Sequence, residues 1–550
     1  MQKLIQAAWR LPSYRENPIE RCRQLESEPL PPSTAALLNE AAADAPDRLA
    51  WHFIDSGETA TYSAAKAMVN RLASGLHELG IRKGTHVAVM IPNVPAFPVT
   101  WLALGRLGAV MVPVNVSYTA RELGYIVNDS EARYLVIADE YLPILNAMED
   151  RPAALTDACI IVVGRAQAGQ QSWQALHDAG NPDFESPDPL GLDDLSNIQY
   201  TSGTTGFPKG VLQAQRYWMT QSKINAFRDG LIYERILIST PFYYMDPQWL
   251  LLMSFHQRAT AFIAARQSTS RYIDWLRRWR IQFALMPAEL LYKNPPSPED
   301  SDNDIRRVNI YGMRKEIHQA VEQRFNVNGR DAFGMTETGS VTFLPLEADD
   351  MIGSGSCGIV GPFRECKVVD AQGREVPRGE IGELVVRGSG ILLGYFKKPE
   401  ATREAFFGEW FRTGDLFRQD ERGYFYIVGR LKEMIRRSSE NIPAREVEAV
   451  LKNMPEIMDA AVIPVPDEIR KEEVKACVIL QPDLTKDEVP PEAIIAHARR
   501  YLAPFKVPRY IEYKSEFPRT PSNKVRKPAL LTEKPDLRAD SWDRVDGIWR

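Results

Sequence analysis

Apolar runs with no internal period of two, alternating with stretches of helical spacing, constrain this chain more than any other feature. Val87-Ala-Val-Met-Ile, Val110-Met-Val-Pro-Val and Tyr134-Leu-Val-Ile-Ala read as strands. Residues 97–107 and 120–129 between them read as helices, as do the stretch from Thr34 and the one holding Val69, Leu72, Leu76 and Leu79. Strands apolar on both faces must be covered on both faces, which predicts βαβ units around a largely parallel sheet. Arg235-Ile-Leu-Ile, Ala259-Thr-Ala-Phe-Ile-Ala and Arg280-Ile-Gln-Phe-Ala-Leu-Met continue the alternation into a second parallel sheet. From about residue 353 the pattern shortens to strands and turns, including Cys366-Lys-Val-Val-Asp and Gly382-Glu-Leu-Val-Val-Arg, which predicts a small β-rich subdomain. A break at Gly429-Arg-Leu-Lys-Glu leaves residues 431–550, with helices at 444–452 and 491–501 and strands at 459–465 and 474–480. That is enough chain for a small α+β domain. The expected class is α/β, with a large domain over 1–430 and a second over 431–550. The polar, proline-punctuated residues 1–33 are expected to form an irregular arm.

Composition excludes several classes. The 550 residues are 44% hydrophobic and 25% charged with a net charge of −5, an ordinary globular balance that offers no basic field to nucleic acid. Five scattered cysteines (Cys22, Cys159, Cys357, Cys366 and Cys477) with no C-x-x-C argue against a disulfide framework or a zinc site and favour a reducing, cytoplasmic setting. The first ten residues lack the apolar core of a signal peptide. Residues 87–105 are uncharged over a membrane-spanning length, but Pro92, Pro95 and Pro98 interrupt them. A strand-loop-helix is expected there, and no membrane span.

Chemistry concentrates in Tyr200-Thr201-Ser202-Gly203-Thr204-Thr205-Gly206-Phe207-Pro208-Lys209-Gly210. Glycines let backbone N–H groups turn toward an anion, hydroxyls add donors, and Lys209 adds a charge. Pro208 stands where the Walker A pattern demands Gly, so this is a different phosphate cradle. A solvated turn between two strands is the alternative.

Four later stretches fit the cradle: Phe333-Gly-Met-Thr-Glu-Thr, Trp410-Phe-Arg-Thr-Gly-Asp-Leu, Gly429-Arg-Leu-Lys-Glu-Met-Ile and Pro518-Arg-Thr-Pro-Ser-Asn-Lys-Val-Arg-Lys. In this order the five motifs resemble the acyl-adenylate-forming superfamily, over roughly residues 40–530. Thr240-Pro-Phe-Tyr-Tyr-Met-Asp-Pro-Gln, Ile435-Arg-Arg-Ser-Ser-Glu-Asn-Ile and Ala503-Pro-Phe-Lys-Val-Pro resemble its crotonobetaine/carnitine–CoA ligase branch. The resemblance implies ATP-dependent, Mg²⁺-assisted activation of a small carboxylic acid as acyl-AMP, followed by transfer to the thiol of CoA. Transfer to a carrier-protein thiol or an amine is an alternative, as is a non-catalytic nucleotide sensor. A homodimer is common in the superfamily.

Residue by residue, the resemblance implies that Thr201, Ser202, Gly203, Thr204, Thr205, Gly206 and Lys209 hold the β and γ phosphates. Phe333, Gly334, Met335 and Thr336 would contact AMP, with Thr336 on the α-phosphate and Glu337 holding Mg²⁺. Asp415, placed in a Thr-Gly-Asp turn, and Arg430 would hold the ribose. Lys524 would bridge the acyl carboxylate and the α-phosphate. Lys432 would be the hinge of a mobile C-terminal domain. Tyr243, Tyr244 and Asp246 would line the acyl pocket, and Arg437, Ser438 and Ser439 the CoA tunnel. Four departures stand out: Tyr244 for a common His, Asn309-Ile-Tyr-Gly-Met for a Gly-Gly-Ala-Pro-like adenine strand, Ser438-Ser439 for Gly-Gly, and Asn523 for Gly. Tyr243, Tyr244, Trp249 and Asp246 suit a quaternary ammonium group or an aryl or alkyl chain.

Overall fold

The computed structural model describes residues 17–201, 208–437, 440–502, 504–520 and 523–550. The chain forms two compact units, and Lys367–Val385 joins Trp410–Arg550 in the second.

The first unit contains two large sheets and a three-stranded one formed by Ala332–Met335, Gly339–Phe343 and Ile359–Val360. Of the large sheets, one runs Gly394–Tyr395, Lys209–Ala214, Leu195–Thr201, Val110–Pro113, His86–Met90, Tyr134–Ala138, Ile160–Val163, Gln171–Ser172. It is parallel from Leu195–Thr201 onward and antiparallel at the edge that carries the Thr-rich motif. The other runs Gly329–Arg330, Arg307–Asn309, Phe283–Leu285, Arg235–Ile238, Thr260–Ile263, Leu49–Phe53, Thr59–Thr61, and only its last pair is antiparallel. The α/β class and both parallel sheets are therefore as the sequence predicts. Residues 87–105 divide into a strand, a loop and the helix Ala96–Leu107, and no helix among the described residues is long and apolar enough to cross a membrane.

Two buried helices, Gln215–Phe227 and Met245–Gln257, contribute Trp218, Met219, Trp249 and Leu252 to the largest core, beside Val89, Trp101 and Ile238. Two of the buried polar residues on the first helix have carbonyl partners. Ser222 donates to the Trp218 carbonyl at 2.7 Å, and the Lys223 ammonium to the Glu28 carbonyl at 2.9 Å. Burial is tolerable because those donors keep partners.

The irregular arm expected over 1–33 is corrected in part, since Pro18–Ser27 is a helix. Asn17 caps it by accepting from the Ile19 N–H, and Pro18 occupies the first turn, where its missing N–H costs nothing. Too polar to announce itself by periodicity, the helix is held by docking. Its fully buried Arg21 donates to the Arg228 carbonyl at 3.1 Å and pairs with Glu347.

In the second unit, Trp410–Gln419 and Phe425–Arg430 form a hairpin. Ile457–Asp467 and Lys471–Leu480 form a longer one, extended in parallel by Tyr510–Tyr513. Ala444–Lys452 and Pro491–Tyr501 pack Val447, Leu451, Ile494 and Ala498 against that sheet.

Candidate active site

The Thr-rich motif spans the tip of a hairpin. Leu195–Thr201 pairs antiparallel with Lys209–Ala214, setting Thr201 opposite Lys209. Ser202, Gly203, Thr204, Thr205 and Gly206 lie outside the described residues. Gly210 is obligatory on the return strand, because a Cβ there would meet Ile198 Cγ2 at 2.6 Å. Both stems are braced from the helix Ala120–Asp129: Tyr200 Oη donates to Asp129 Oδ2 at 2.7 Å, and Tyr125 Oη to the Pro208 carbonyl at 2.9 Å. Thr119 and Glu122 close a capping box on that helix, a feature worth about 1 kcal/mol.

Inside the stem, buried amides on Asn197 and Gln199 tie this strand to the segment following Thr240. Asn197 Nδ2 donates to Gln248 Oε1 at 2.8 Å, and Gln199 Nε2 to the Tyr243 carbonyl at 2.7 Å. Gln248 Nε2 donates to the Phe242 carbonyl at 2.9 Å, and Asn93 accepts from the Phe242 N–H at 2.8 Å. The segment carrying Tyr243 and Tyr244 is thereby fixed to the strand Leu195–Thr201. Sequence reading missed Asn93, Asn197, Gln199 and Gln248, although two amides spaced by two on an apolar strand are a visible signal.

Thr336 and Glu337 occupy the turn between Ala332–Met335 and Gly339–Phe343. Phe333 and Met335 are half-buried on the first strand. Gly334 there admits no side chain, since a Cβ would stand 2.6 Å from the Gly339 carbonyl oxygen. Gln213 Nε2 donates to the Thr336 carbonyl at 3.0 Å, linking this turn to the strand Lys209–Ala214. Glu337 is 8% exposed, and its Oε1 accepts from Tyr395 Oη at 3.0 Å. No cluster of three or more His, Cys, Asp or Glu among the described residues is arranged to cage a metal. A single carboxylate nevertheless suits Mg²⁺, which keeps waters and takes phosphate oxygens rather than an all-protein cage.

On the strand Arg307–Asn309, Asn309 Oδ1 accepts from Arg228 Nη2 at 3.0 Å and Arg307 Nε at 2.9 Å. Its amide oxygen therefore serves buried arginines, while the Tyr311 ring two residues on is half exposed.

Tyr243 and Tyr244 stand with ring centroids 4.7 Å apart. Burial, then the neighbouring Tyr244, Tyr141 and Tyr118, push the Tyr243 phenol up to about 12. Burial likewise raises the phenols of Tyr118, Tyr141 and Tyr244; of these four tyrosines the sequence identified Tyr243 and Tyr244. Asp246 lies at the start of Met245–Gln257, where its Oδ1 accepts from Trp249 Nε1 at 2.9 Å. Trp249 itself is a core residue, 1% exposed.

In the second unit, Asp415 is not in a turn as expected. It lies within the ten-residue strand Trp410–Gln419, directly opposite Arg430. Gly414, at φ 69°, bends the strand there without ending it. Asp415 Oδ1 meets Arg430 Nε at 2.8 Å. Burial pushes the Asp415 carboxyl up to about 6, outweighing the pull of Arg430, Arg445 and Lys524. Lys432 falls in the short turn Leu431–Glu433, with its side chain outside the description. Arg437 Nε pairs with the buried Glu473 at 2.6 Å; Ser438 and Ser439 lie outside the described residues.

Lys524 is exposed on a turn closed by two of its own backbone bonds. Its carbonyl accepts from the Thr520 N–H at 2.8 Å, and its N–H donates to Thr520 Oγ1 at 3.1 Å. Asn523 takes φ 61°, the left-handed region that glycine favours and asparagine tolerates best among the rest, which accounts for its place there.

Fold and hairpins together define an adenylate-forming enzyme. Residues 38–396 match the AMP-binding enzyme family, and residues 446–524 match the AMP-binding enzyme C-terminal domain. The chain is 33% identical to a crotonobetaine/carnitine–CoA ligase of Proteus mirabilis over 86% of its own length and 92% of the relative's. It is 31% identical to the Escherichia coli ligase of the same description over 84% and 92%. ATP-bound MatB from Rhodopseudomonas palustris superposes with a TM-score of 0.81 at 26% identity, covering 91% of this chain and 98% of that one. The chain belongs to the AMP-binding enzyme family.

Proposed function

We propose that this AMP-forming acid–CoA ligase takes a carboxylic acid whose tail packs among Tyr118, Tyr141, Tyr243 and Tyr244. The paired rings of Tyr243 and Tyr244, with centroids 4.7 Å apart, carry this reading, and Tyr118 and Tyr141 are partly buried against one neighbouring core cluster. Ring faces attract aryl groups and quaternary ammonium groups alike, and both gain more than a linear alkyl chain of equal length.

The residue roles form one scheme. Residues 201–206 and Lys209 hold the β and γ phosphates, and Thr336 donates to the α-phosphate. Glu337 holds Mg²⁺, which supplies charge neutralisation when bound. Asp415 accepts from the ribose hydroxyls beside Arg430, and Phe333, Gly334 and Met335 face the nucleoside. An acid oxygen attacks the α-phosphorus, and pyrophosphate departs with the electrons of the broken P–O bond. Lys524 offsets the meeting of two anions. Rotation about Lys432 then withdraws Lys524 and brings residues 436–442 to the thiol side. The sulfur attacks the acyl carbon, and AMP leaves. CoA is the acceptor assigned here, not a carrier-protein thiol.

A hydroxamate-trapping screen over acids of matched length tests the pocket, with and without CoA. Aryl or trimethylammonium tails should exceed linear alkyl tails by about tenfold or more, equivalent to a stacking gain of about 1.4 kcal/mol. Equal rates would remove the tyrosine cluster from the substrate site.

A further inference from the structure

The sequence motifs leave one contact unassigned. Tyr395 reaches two of the motif residues at once, although it belongs to none of the five stretches. Its hydroxyl donates to Glu337 Oε1 at 3.0 Å, and Lys209 Nζ lies 5.0 Å from its ring centroid. We propose that Tyr395 is a positioning residue that couples the metal-side carboxylate Glu337 to the phosphate-side ammonium Lys209 through one side chain. The proposal rests on the roles given above to Glu337 and Lys209.

The backbone around Tyr395 is fixed on both sides. Gly394–Tyr395 is the edge strand of the first sheet, with Tyr395 opposite Val211. Phe396 donates its N–H to the Gly210 carbonyl at 2.8 Å, and the Tyr395 N–H donates to Thr402 Oγ1 at 2.9 Å. At the far end, the Leu392 N–H donates to the Glu337 carbonyl at 2.7 Å. One short segment therefore grips both hairpins by backbone and side chain together.

The chemistry of the phenol suits this place. A neutral donor orients a carboxylate without neutralising it, so Glu337 keeps its charge for a cation. The electron-rich ring face meanwhile attracts the Lys209 ammonium. A cation or salt bridge in place of Tyr395 would compete with Mg²⁺ for Glu337 or with phosphate for Lys209.

Tyr395→Phe and Tyr395→Leu in the full chain separate the two contacts. The readouts are Mn²⁺ binding by electron paramagnetic resonance with a non-hydrolysable ATP analogue, and analogue binding without metal. Tyr395→Phe should weaken Mn²⁺ about tenfold, within the range for partners that orient metal ligands, and leave metal-free analogue binding unchanged. Tyr395→Leu should add a loss of about threefold in metal-free analogue affinity, from the ring over Lys209. Wild-type Mn²⁺ affinity in Tyr395→Phe overturns the proposal, as does equal damage by both variants to every parameter and to Tm. Glu337→Gln is the reference: wild-type Mn²⁺ affinity there overturns the underlying metal role, whereas its expected loss beside an unaffected Tyr395→Phe overturns the coupling alone.

Discussion

The hairpins proposed to hold the triphosphate and the turn that carries Lys524 are built on opposite plans. In the first unit, each described end of the phosphate hairpin has a bracing phenol, and Glu337 sits 8% exposed under a tyrosine hydroxyl. In the second unit, Lys524 is exposed on a turn closed by bonds to Thr520, next to a left-handed Asn523. Groups that must present charge at a fixed place gain from a rigid setting that needs no reorganisation. A group needed in one half-reaction and unwanted in the next can be withdrawn with its whole domain, so only the local turn has to be stiff.

Substitution at the exposed turn should nevertheless have the largest effect on chemistry. Lys524→Ala should lower ATP–pyrophosphate exchange by about 10²–10³-fold, the scale seen on deleting one transition-state donor, with ATP binding by calorimetry retained. Undiminished exchange would break the comparison at its strongest point. Lys432→Ala should slow CoA thioester formation by about thirtyfold while leaving exchange within about twofold, measured by separate half-reaction assays. Equal slowing of both would remove the pivot.

Asp415 supplies a pH test. Its folded pKa of about 6 lies above the usual carboxylate range, so the native state binds the extra proton. As pH falls through about 6, the carboxylate is neutralised and can no longer accept two ribose hydroxyls. KM for ATP should therefore rise about tenfold between pH 7 and pH 5, and Asp415→Asn should be poor and flat across that range. The same raised pKa makes the ionised form costly to the fold, so this group's contribution to stability declines as pH rises from about 4 to about 6. A flat wild-type KM would exclude the ribose role.

Smaller effects sharpen the contrast in rigidity. Tyr125→Phe removes the hydrogen bond to the Pro208 carbonyl and should raise KM for ATP about fivefold, equivalent to about 1 kcal/mol for one hydrogen bond, while the acid KM holds. Asn523→Gly should change exchange by less than about twofold, because glycine meets the left-handed backbone without strain. A larger loss would show that the Asn523 side chain has work of its own.

Much of the fold was legible along the chain. Helices expected at 120–129, 444–452 and 491–501 and the strand at 134–138 coincide with Ala120–Asp129, Ala444–Lys452, Pro491–Tyr501 and Tyr134–Ala138. Each is a run whose burial pattern repeats within a few residues, which makes it readable locally. The helix Pro18–Ser27 escaped because its stability comes from Arg21 docking against Arg228 and Glu347, hundreds of residues away. Asp415 was misread because Thr-Gly-Asp is a turn sequence on its own. Pairing with Phe425–Arg430 keeps it in a strand despite the bend at Gly414.

By itself the sequence determined the sheet class, the family and the kind of chemistry, since glycines, hydroxyls, carboxylates and lysines stand in short motifs whose spacing is local. Only the tertiary structure decided which neighbours discipline those groups. Glu337 and Tyr395 are 58 residues apart, and Asn197 and Gln248 are 51 apart. Such pairs meet because parallel crossovers and edge pairing bring remote strands side by side, and no local propensity encodes that order.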